Sequence, residues 1–252
     1  MAEDYLLTVL KFGSSVLRSE NDIGLVVEEV HRWLSEKSRV VVVVSAIGKA
    51  TDRLMNQAVQ YGENFNQEGV ATLASTGELA SAALLTLALG RAGIATTILD
   101  PARFGLLASG PLLNAELSHA DEVPLRLALA QFSVAVVPGF IARSTDGRTA
   151  LLGRGGSDLT ALFLTYRLRA GRCRLIKDVD GLYESDPKAK GVSQPRRYRS
   201  IHWQDALRLK AAVVQHKAIR YAAGQGQAFE VAAPGGNDGT NVGDFETKFY
   251  GH

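Results

Sequence analysis

Arg39-Val-Val-Val-Val-Val-Ser-Ala-Ile-Gly48 is the stretch on which the fold turns. Five consecutive valines do not suit a half-wet strand, which alternates apolar and polar residues. They suit a strand covered on both faces, as in a parallel sheet packed between helices. β-Branched side chains also favour extended backbone over helix. The run stops at small residues, Ser45 to Gly48, as expected of a loop leaving the end of a strand. On the N-terminal side, Tyr5–Leu10 is a second apolar run, ending in Lys11-Phe-Gly-Ser-Ser15. Between the two, Asn21-Asp22 offers a helix N-cap, and Ile23, Val26, Val27, Val30, Trp33 and Leu34 follow at helical spacing.

The alternation continues downstream. Helices are expected over Thr51–Tyr61, Gly77–Ala92, Asp121–Gln131 and Ser157–Ala170, with one or two more within Trp203–Gly224. Strands are expected at Ala95–Leu99, Val134–Val137, Arg174–Ile176 and Ala228–Ala232. Asp146-Gly147 predicts a hairpin turn between Phe140-Ile-Ala and Thr149-Ala-Leu-Leu. Pro187–Arg199 reads as a surface loop, and Gly224–Gly243 as loops around one strand. The pattern predicts an α/β fold with a mainly parallel sheet and helices on both faces.

Bulk properties narrow the partners. Of 252 residues, 46% are hydrophobic and 21% charged, an ordinary globular composition, and the net charge is +2. No strong field points to nucleic acid or to a membrane surface. The single cysteine, Cys173, excludes a disulfide framework within the chain and fits a reducing, cytoplasmic compartment. Met1-Ala-Glu-Asp-Tyr5 lacks the basic start of a signal peptide. No apolar stretch is expected to reach the roughly 20 residues of a membrane helix.

Three strand-to-loop junctions could carry chemistry: Lys11-Phe-Gly-Ser-Ser15, Ser45-Ala-Ile-Gly-Lys49 and Gly153-Arg-Gly-Gly-Ser-Asp158. In a parallel sheet such loops gather at one edge, where ligands bind. Glycines let backbone N–H groups approach an anion, a helix N-terminus adds partial positive charge, and lysine adds a point charge for phosphate. Neither a Walker A motif nor a strand-borne G-x-G-x-x-G is present. Each segment alone is also compatible with a plain turn or a helix cap. A fourth segment, Lys177-Asp-Val-Asp-Gly-Leu-Tyr-Glu-Ser-Asp-Pro-Lys188, carries three aspartates in turn-forming company, and its spacing does not fit an EF-hand. The five histidines (His31, His119, His202, His216 and His252) lack metal-ligand spacing. Cys173 and Trp33 read as packing residues.

Taken together and in this order, the four segments resemble the amino acid kinase family, and within it the catalytic domain of aspartokinases. Lys11-Phe-Gly-Ser-Ser-Val resembles K-F-G-G-T-S-V. Val43-Val-Ser-Ala-Ile-Gly-Lys-Ala-Thr-Asp-Arg-Leu resembles V-V-S-A-M-G-x-x-T-D-x-L. Ser75-Thr-Gly-Glu matches S-x-G-E, and Gly153–Asp158 matches G-R-G-G-S-D in full. Asp178-Val-Asp-Gly-Leu-Tyr-Glu-Ser-Asp-Pro-Lys resembles D-V-D-G-V-Y-T-x-D-P-R. The resemblance implies a three-layer αβα sandwich around a mainly parallel sheet, as one domain over residues 1–252. It implies transfer of a phosphoryl group from ATP, carried with Mg²⁺ and without a protein metal site, to a small acid, in a homodimer.

By the same resemblance Lys11 would contact the transferring group, beside the amides near Gly13, Ser14 and Ser15. Asp158 would hold the catalytic lysine. Ser45 and Thr51 would line the acceptor side, Glu78 would receive an amino group, and Arg154 would clamp a carboxylate. Gly155, Gly156 and Ser157 would face the phosphates. Lys177, Asp178, Tyr183, Asp186 and Lys188 would border the nucleotide. Departures fall at Ser14 and Val16, at Lys177 in place of threonine, at Ala212 in place of a lysine, and at Gln215-His216-Lys217 in place of His-Pro-Arg. No segment resembling the regulatory ACT modules of aspartokinases follows Gly239-Thr-Asn-Val, so feedback by lysine or threonine is not expected within this chain. Three readings stay open: aspartate as acceptor, another amino acid or small acid, or a non-catalytic ligand-binding paralogue.

Overall fold

The computed structural model describes residues 5–35, 37–61, 66–187, 195–209 and 213–251. Along the chain run β1 (Leu6–Phe12), α1 (Ile23–Arg32), β2 (Ser38–Val44), α2 (Ala50–Val59), α3 (Gln67–Arg91), β3 (Thr96–Ile98), β4 (Leu107–Ser109), β5 (Glu116–His119), α4 (Glu122–Gln131) and β6 (Val134–Pro138). There follow β7 (Ile141–Ser144), β8 (Thr149–Leu151), α5 (Gly156–Leu168), β9 (Arg172–Ile176), β10 (Tyr198–His202), α6 (Trp203–Ala206), α7 (His216–Gly224), β11 (Phe229–Ala232), β12 (Thr240–Gly243) and β13 (Lys248–Phe249).

Among the described residues, nine strands form the main sheet in the order β13-β10-β12-β11-β9-β1-β2-β6-β3, and β5-β4-β7-β8 form a smaller sheet. The core of the main sheet is parallel: β1 pairs with β2 and β9, β2 with β6, and β6 with β3. Antiparallel pairs occur toward one edge, at β11–β12 and β10–β13. This is the expected sandwich, with the valine run at its centre. Val40, Val42 and Val44 pack under α1 and α3 with Val26, Val30, Leu85 and Leu89. Val41 and Val43 face the opposite layer with Leu162 and Leu164 of α5. Each of the five is fully buried, which contributes about 1.5–3 kcal/mol per side chain. Away from the strand ends, Arg174 on β9 brings charge into this core, where it is neutralised by Glu29 of α1 at 3.4 Å and Glu230 of β11 at 2.8 Å, and lies over the Trp33 ring.

Four expectations need correction. Helix α3 begins at Gln67 rather than Gly77, with Asn66 accepting from the Glu68 and Gly69 amides as its N-cap. Gly69 and Gly77, poor helix formers, hide that early start. With 25 residues, α3 is also long and apolar enough to cross a membrane by length and composition, so an apolar stretch of that size does exist. Its buried stripe from Val70 to Leu89 packs on the protein's own sheets. The stretch read as a surface loop gives way to β10 at Tyr198. The stretch read as loops around one strand holds a second, β12, pairing back on β11. The short strands β4 and β5 carry too few residues to show a period. The hairpin at Asp146-Gly147 is present as β7–β8.

Candidate active site

The parallel strands β1, β2, β6 and β9 end at one edge of the sheet, followed by Gly13, Ser45, Gly139 and Lys177. Helix α5 starts directly over them. Gly139 makes this possible, because a Cβ there would lie 2.7 Å from Ser157 Cβ and 2.9 Å from Val43 Cγ1. The close approach sets Ser157 Oγ 2.7 Å from Ser45 Oγ, which joins the loop after β2 to the first turn of α5. One residue on, Asp158 points into the sheet edge.

Asp158 holds two lysines. Lys11 Nζ lies 2.6 Å from Oδ1, and Lys177 Nζ donates to Oδ2 at 2.8 Å and Oδ1 at 3.0 Å. All three groups are buried, with residue exposures of 4% for Lys11, 3% for Asp158 and 7% for Lys177. Burial would raise the Asp158 carboxyl, but the two ammonium charges outweigh it and hold the group at about 2. Burial pushes Lys11 down to about 8. Asp158 opposes that shift and the neighbouring Lys177 charge adds to it. Two cations and one anion leave an excess positive charge in a water-poor place, which calls for an anionic ligand. The Lys11 ammonium lies close over Gly13.

A cleft of about 420 Å³ opens beside this cluster. Ser14, Ser45, Thr51, Glu78, Arg154, Gly155, Gly156 and Ser157, all expected at the site, line it. Glu78, midway along α3 and 2% exposed, accepts from Thr51 Oγ1 at 3.2 Å through Oε1. Its Oε2 is buried without a hydrogen-bond partner among the described residues. Burial pushes this carboxyl up to about 8. Arg154 is exposed and has no ion pair among the described residues. The cleft thus offers an acidic group and a guanidinium together, a matched pair for a ligand carrying both an ammonium and a carboxylate.

Other expected residues fall elsewhere. Ser15 is exposed on the turn after β1 and does not line the cleft. Asp178 is exposed next to Lys177, while Tyr183 and Asp186 lie on the loop beyond. Tyr183 donates to Asp180 Oδ1 at 2.5 Å, and Asp180 pairs with Arg197 at 2.6 Å, so this loop is tied to the strand entering β10. Lys188 and Ala212 lie outside the described residues. Asp52, Phe140 and Gln215 also line the cleft. Gln215 was visible in the sequence only as a departure from the family motif, Asp52 only as a matched motif position without an assigned role, and Phe140 gave no signal.

The sequence profile of the amino acid kinase family matches residues 7–229, most of the chain and all of the strands that meet at the cleft. The chain belongs to the amino acid kinase family. It is 34% identical over 219 residues to an aspartokinase of Pseudomonas aeruginosa, covering 86% of this chain and 53% of that protein. Among solved structures it resembles aspartate kinase from Synechocystis, with 30% identity and a TM-score of 0.80, over 94% of this chain and 39% of that one. It thus spans about half the length of the curated relatives it matches. An isopentenyl phosphate kinase shares the fold at 20% identity and a TM-score of 0.71, covering 94% of this chain and 99% of that chain. The amino acid kinase fold therefore appears here with Lys11 and Asp158 paired at the sheet edge.

Proposed function

We propose that this chain transfers the terminal phosphoryl group of ATP to the side-chain carboxylate of L-aspartate, forming an acyl phosphate and ADP. The observation that carries the reading is Asp158 bridging two buried ammonium groups. That arrangement suits a polyanion over the strand ends, and the similarity to aspartokinases supports the acceptor. A carboxylate acceptor is already ionised at pH 7, so no general base is needed. One of its oxygens attacks the terminal phosphorus, the bond to the bridging oxygen breaks, and ADP leaves with that electron pair. Catalysis then rests on alignment and charge neutralisation. Lys11 and Lys177 neutralise the phosphoryl oxygens while Asp158 fixes both.

The acceptor's ammonium group would fill the vacant acceptor atom Glu78 Oε2, and Arg154 would clamp its α-carboxylate, with Ser45 and Thr51 between. Gly13, Ser14, Ser15 and Gly155–Ser157 would face the phosphates. Asp178, Tyr183, Asp186 and Lys188 would border the nucleotide. Mg²⁺ carried with ATP would supply charge neutralisation at the phosphates. The reading takes the chain as one catalytic domain, cytoplasmic and homodimeric. The buried free thiol Cys173, pushed up to about 12 by burial, suits such a compartment and is inert.

Purified protein with ATP, Mg²⁺, aspartate and hydroxylamine is expected to give aspartyl hydroxamate and aspartate-dependent ADP. Product with a different acid, and none with aspartate, would favour a second reading, to which Gln215 in the cleft wall lends support. No product with any acid from folded protein would favour a ligand-binding role.

The cleft also predicts a pH profile. Glu78 must be ionised to take an ammonium group, and below about 8 it is mostly protonated. Lys11 must be charged, and above about 8 it is mostly neutral. Aspartate kcat/KM should therefore rise roughly tenfold per pH unit from pH 6 toward 8 and fall above it. Glu78→Gln should flatten the acid limb. A profile flat from pH 6 to 9 would contradict both assignments.

A further inference from the structure

Lys217 sits where local physics disfavours it. It is the second residue of α7, whose N-cap is Gln215, so its charge lies at the positive end of the helix dipole. It is also half-buried, and burial lowers its pKa. A helix of this kind gains from an acidic residue there, and the chain carries the opposite. Such a local conflict marks a place where the side chain serves something beyond its own helix.

The partners identify what that is. Lys217 Nζ donates to Leu152 O at 3.0 Å and to Ala115 O at 2.8 Å, and reaches Asn114 Oδ1 at 3.5 Å. Leu152 is the residue immediately before Gly153-Arg154. Gly153 takes φ +69° and packs so closely on Asn114 that a Cβ would meet its amide oxygen. The loop carrying Arg154 is therefore wedged between Asn114 on one side and α7 on the other, and Lys217 of α7 bonds both to the Asn114–Ala115 flank and to Leu152 at the start of the loop. Gln215 completes the wedge, because its Cβ lies 2.5 Å from where a Cβ of Gly155 would be.

We infer that Lys217 is a positioning residue for the acceptor side: it staples the segment before Gly153 to Asn114–Ala115 and so fixes where Arg154 meets the acceptor's carboxylate. The inference rests on the proposed role of Arg154 as the acceptor clamp. Lys217 touches no reacting atom. Its loss should weaken acceptor binding, while nucleotide binding, which depends on the Lys11–Asp158–Lys177 cluster, stays as it is.

The test compares Lys217→Met and Lys217→Arg with the unaltered chain. Lys217→Met should raise the aspartate KM at least tenfold, leave the ATP KM within about twofold and leave kcat within about threefold. Lys217→Arg, which keeps the donors, should stay within about threefold throughout. Hydrogen exchange gives a readout independent of turnover. The Gly156 and Leu159 amides, bonded to Gly153 O and Gly155 O, should exchange at least tenfold faster in the Met variant, with the β1 amides unchanged. An unchanged aspartate KM in folded Lys217→Met, or equal rises for aspartate and ATP, would overturn the inference. If the unaltered chain phosphorylates no acid, the proposed function fails, and the exchange result alone decides whether the staple exists. If the Met variant does not fold, Lys217→Gln is read in the same way.

Discussion

Asp158→Asn is expected to destabilise the protein by about 3–5 kcal/mol, because it leaves two buried ammonium groups without their counter-charge. For a chain of this size that is a fall in Tm of roughly 6–20 °C. Lys11 and Lys177 each bond to the Asp158 carboxylate in a place that water barely reaches. An asparagine keeps one acceptor oxygen but turns an N–H donor toward a donor. Removing one of the cations as well should relieve the repulsion, so Asp158→Asn with Lys177→Met should melt higher than Asp158→Asn alone. Scanning calorimetry on the three proteins reads this directly. A Tm for Asp158→Asn equal to the parent would mean that the cluster does not hold its charges as described.

Lys11→Met is expected to do the reverse: to remove activity and spare the fold. With Lys11 gone, Asp158 remains paired one-to-one with Lys177 through two short bonds, and the excess buried charge disappears. The Tm should hold or rise. The terminal phosphoryl group loses the donor that neutralises it, and kcat should fall roughly 10²–10³-fold, the range typical of removing one such donor. ATP-dependent hydroxamate formation measures the fall. A loss of less than threefold would place Lys11 away from the transferring group. The two substitutions together separate charge balance from chemistry within one cluster.

Much of this was legible in the sequence because it depends on local pattern. The Val40–Val44 run has only one comfortable setting, between two helical layers, and it takes that setting. Gly153–Asp158 places a glycine turn against a helix start, and its side chains fall where that geometry puts them. Glu78 and Thr51, which the resemblance puts on one side of the site, also meet in the fold. What the sequence hid depends on tertiary apposition. The resemblance puts Lys177 beside the nucleotide but gives no sign of its bond to Asp158, and only the pairing of β9 with β1 brings it 19 residues back to that carboxylate. Gln215 and Asn114 become site residues only because α7 and the segment before β5 close on Gly153 from both sides. The true start of α3 was masked by its glycines, and β4 and β5 are too short for a period to register.

Helix α3 has a mechanical consequence. It runs about 37 Å at 1.5 Å per residue, with its first half on Ile141 and Leu151 of the small sheet and its second half on the valines of the main one. Glu78 is within one residue of its midpoint. If such a rod rocks by about 5°, its ends sweep roughly 1.6 Å, while its centre stays in place. The carboxylate proposed to receive the acceptor's ammonium group is thus at the point of the rod that such a motion displaces least.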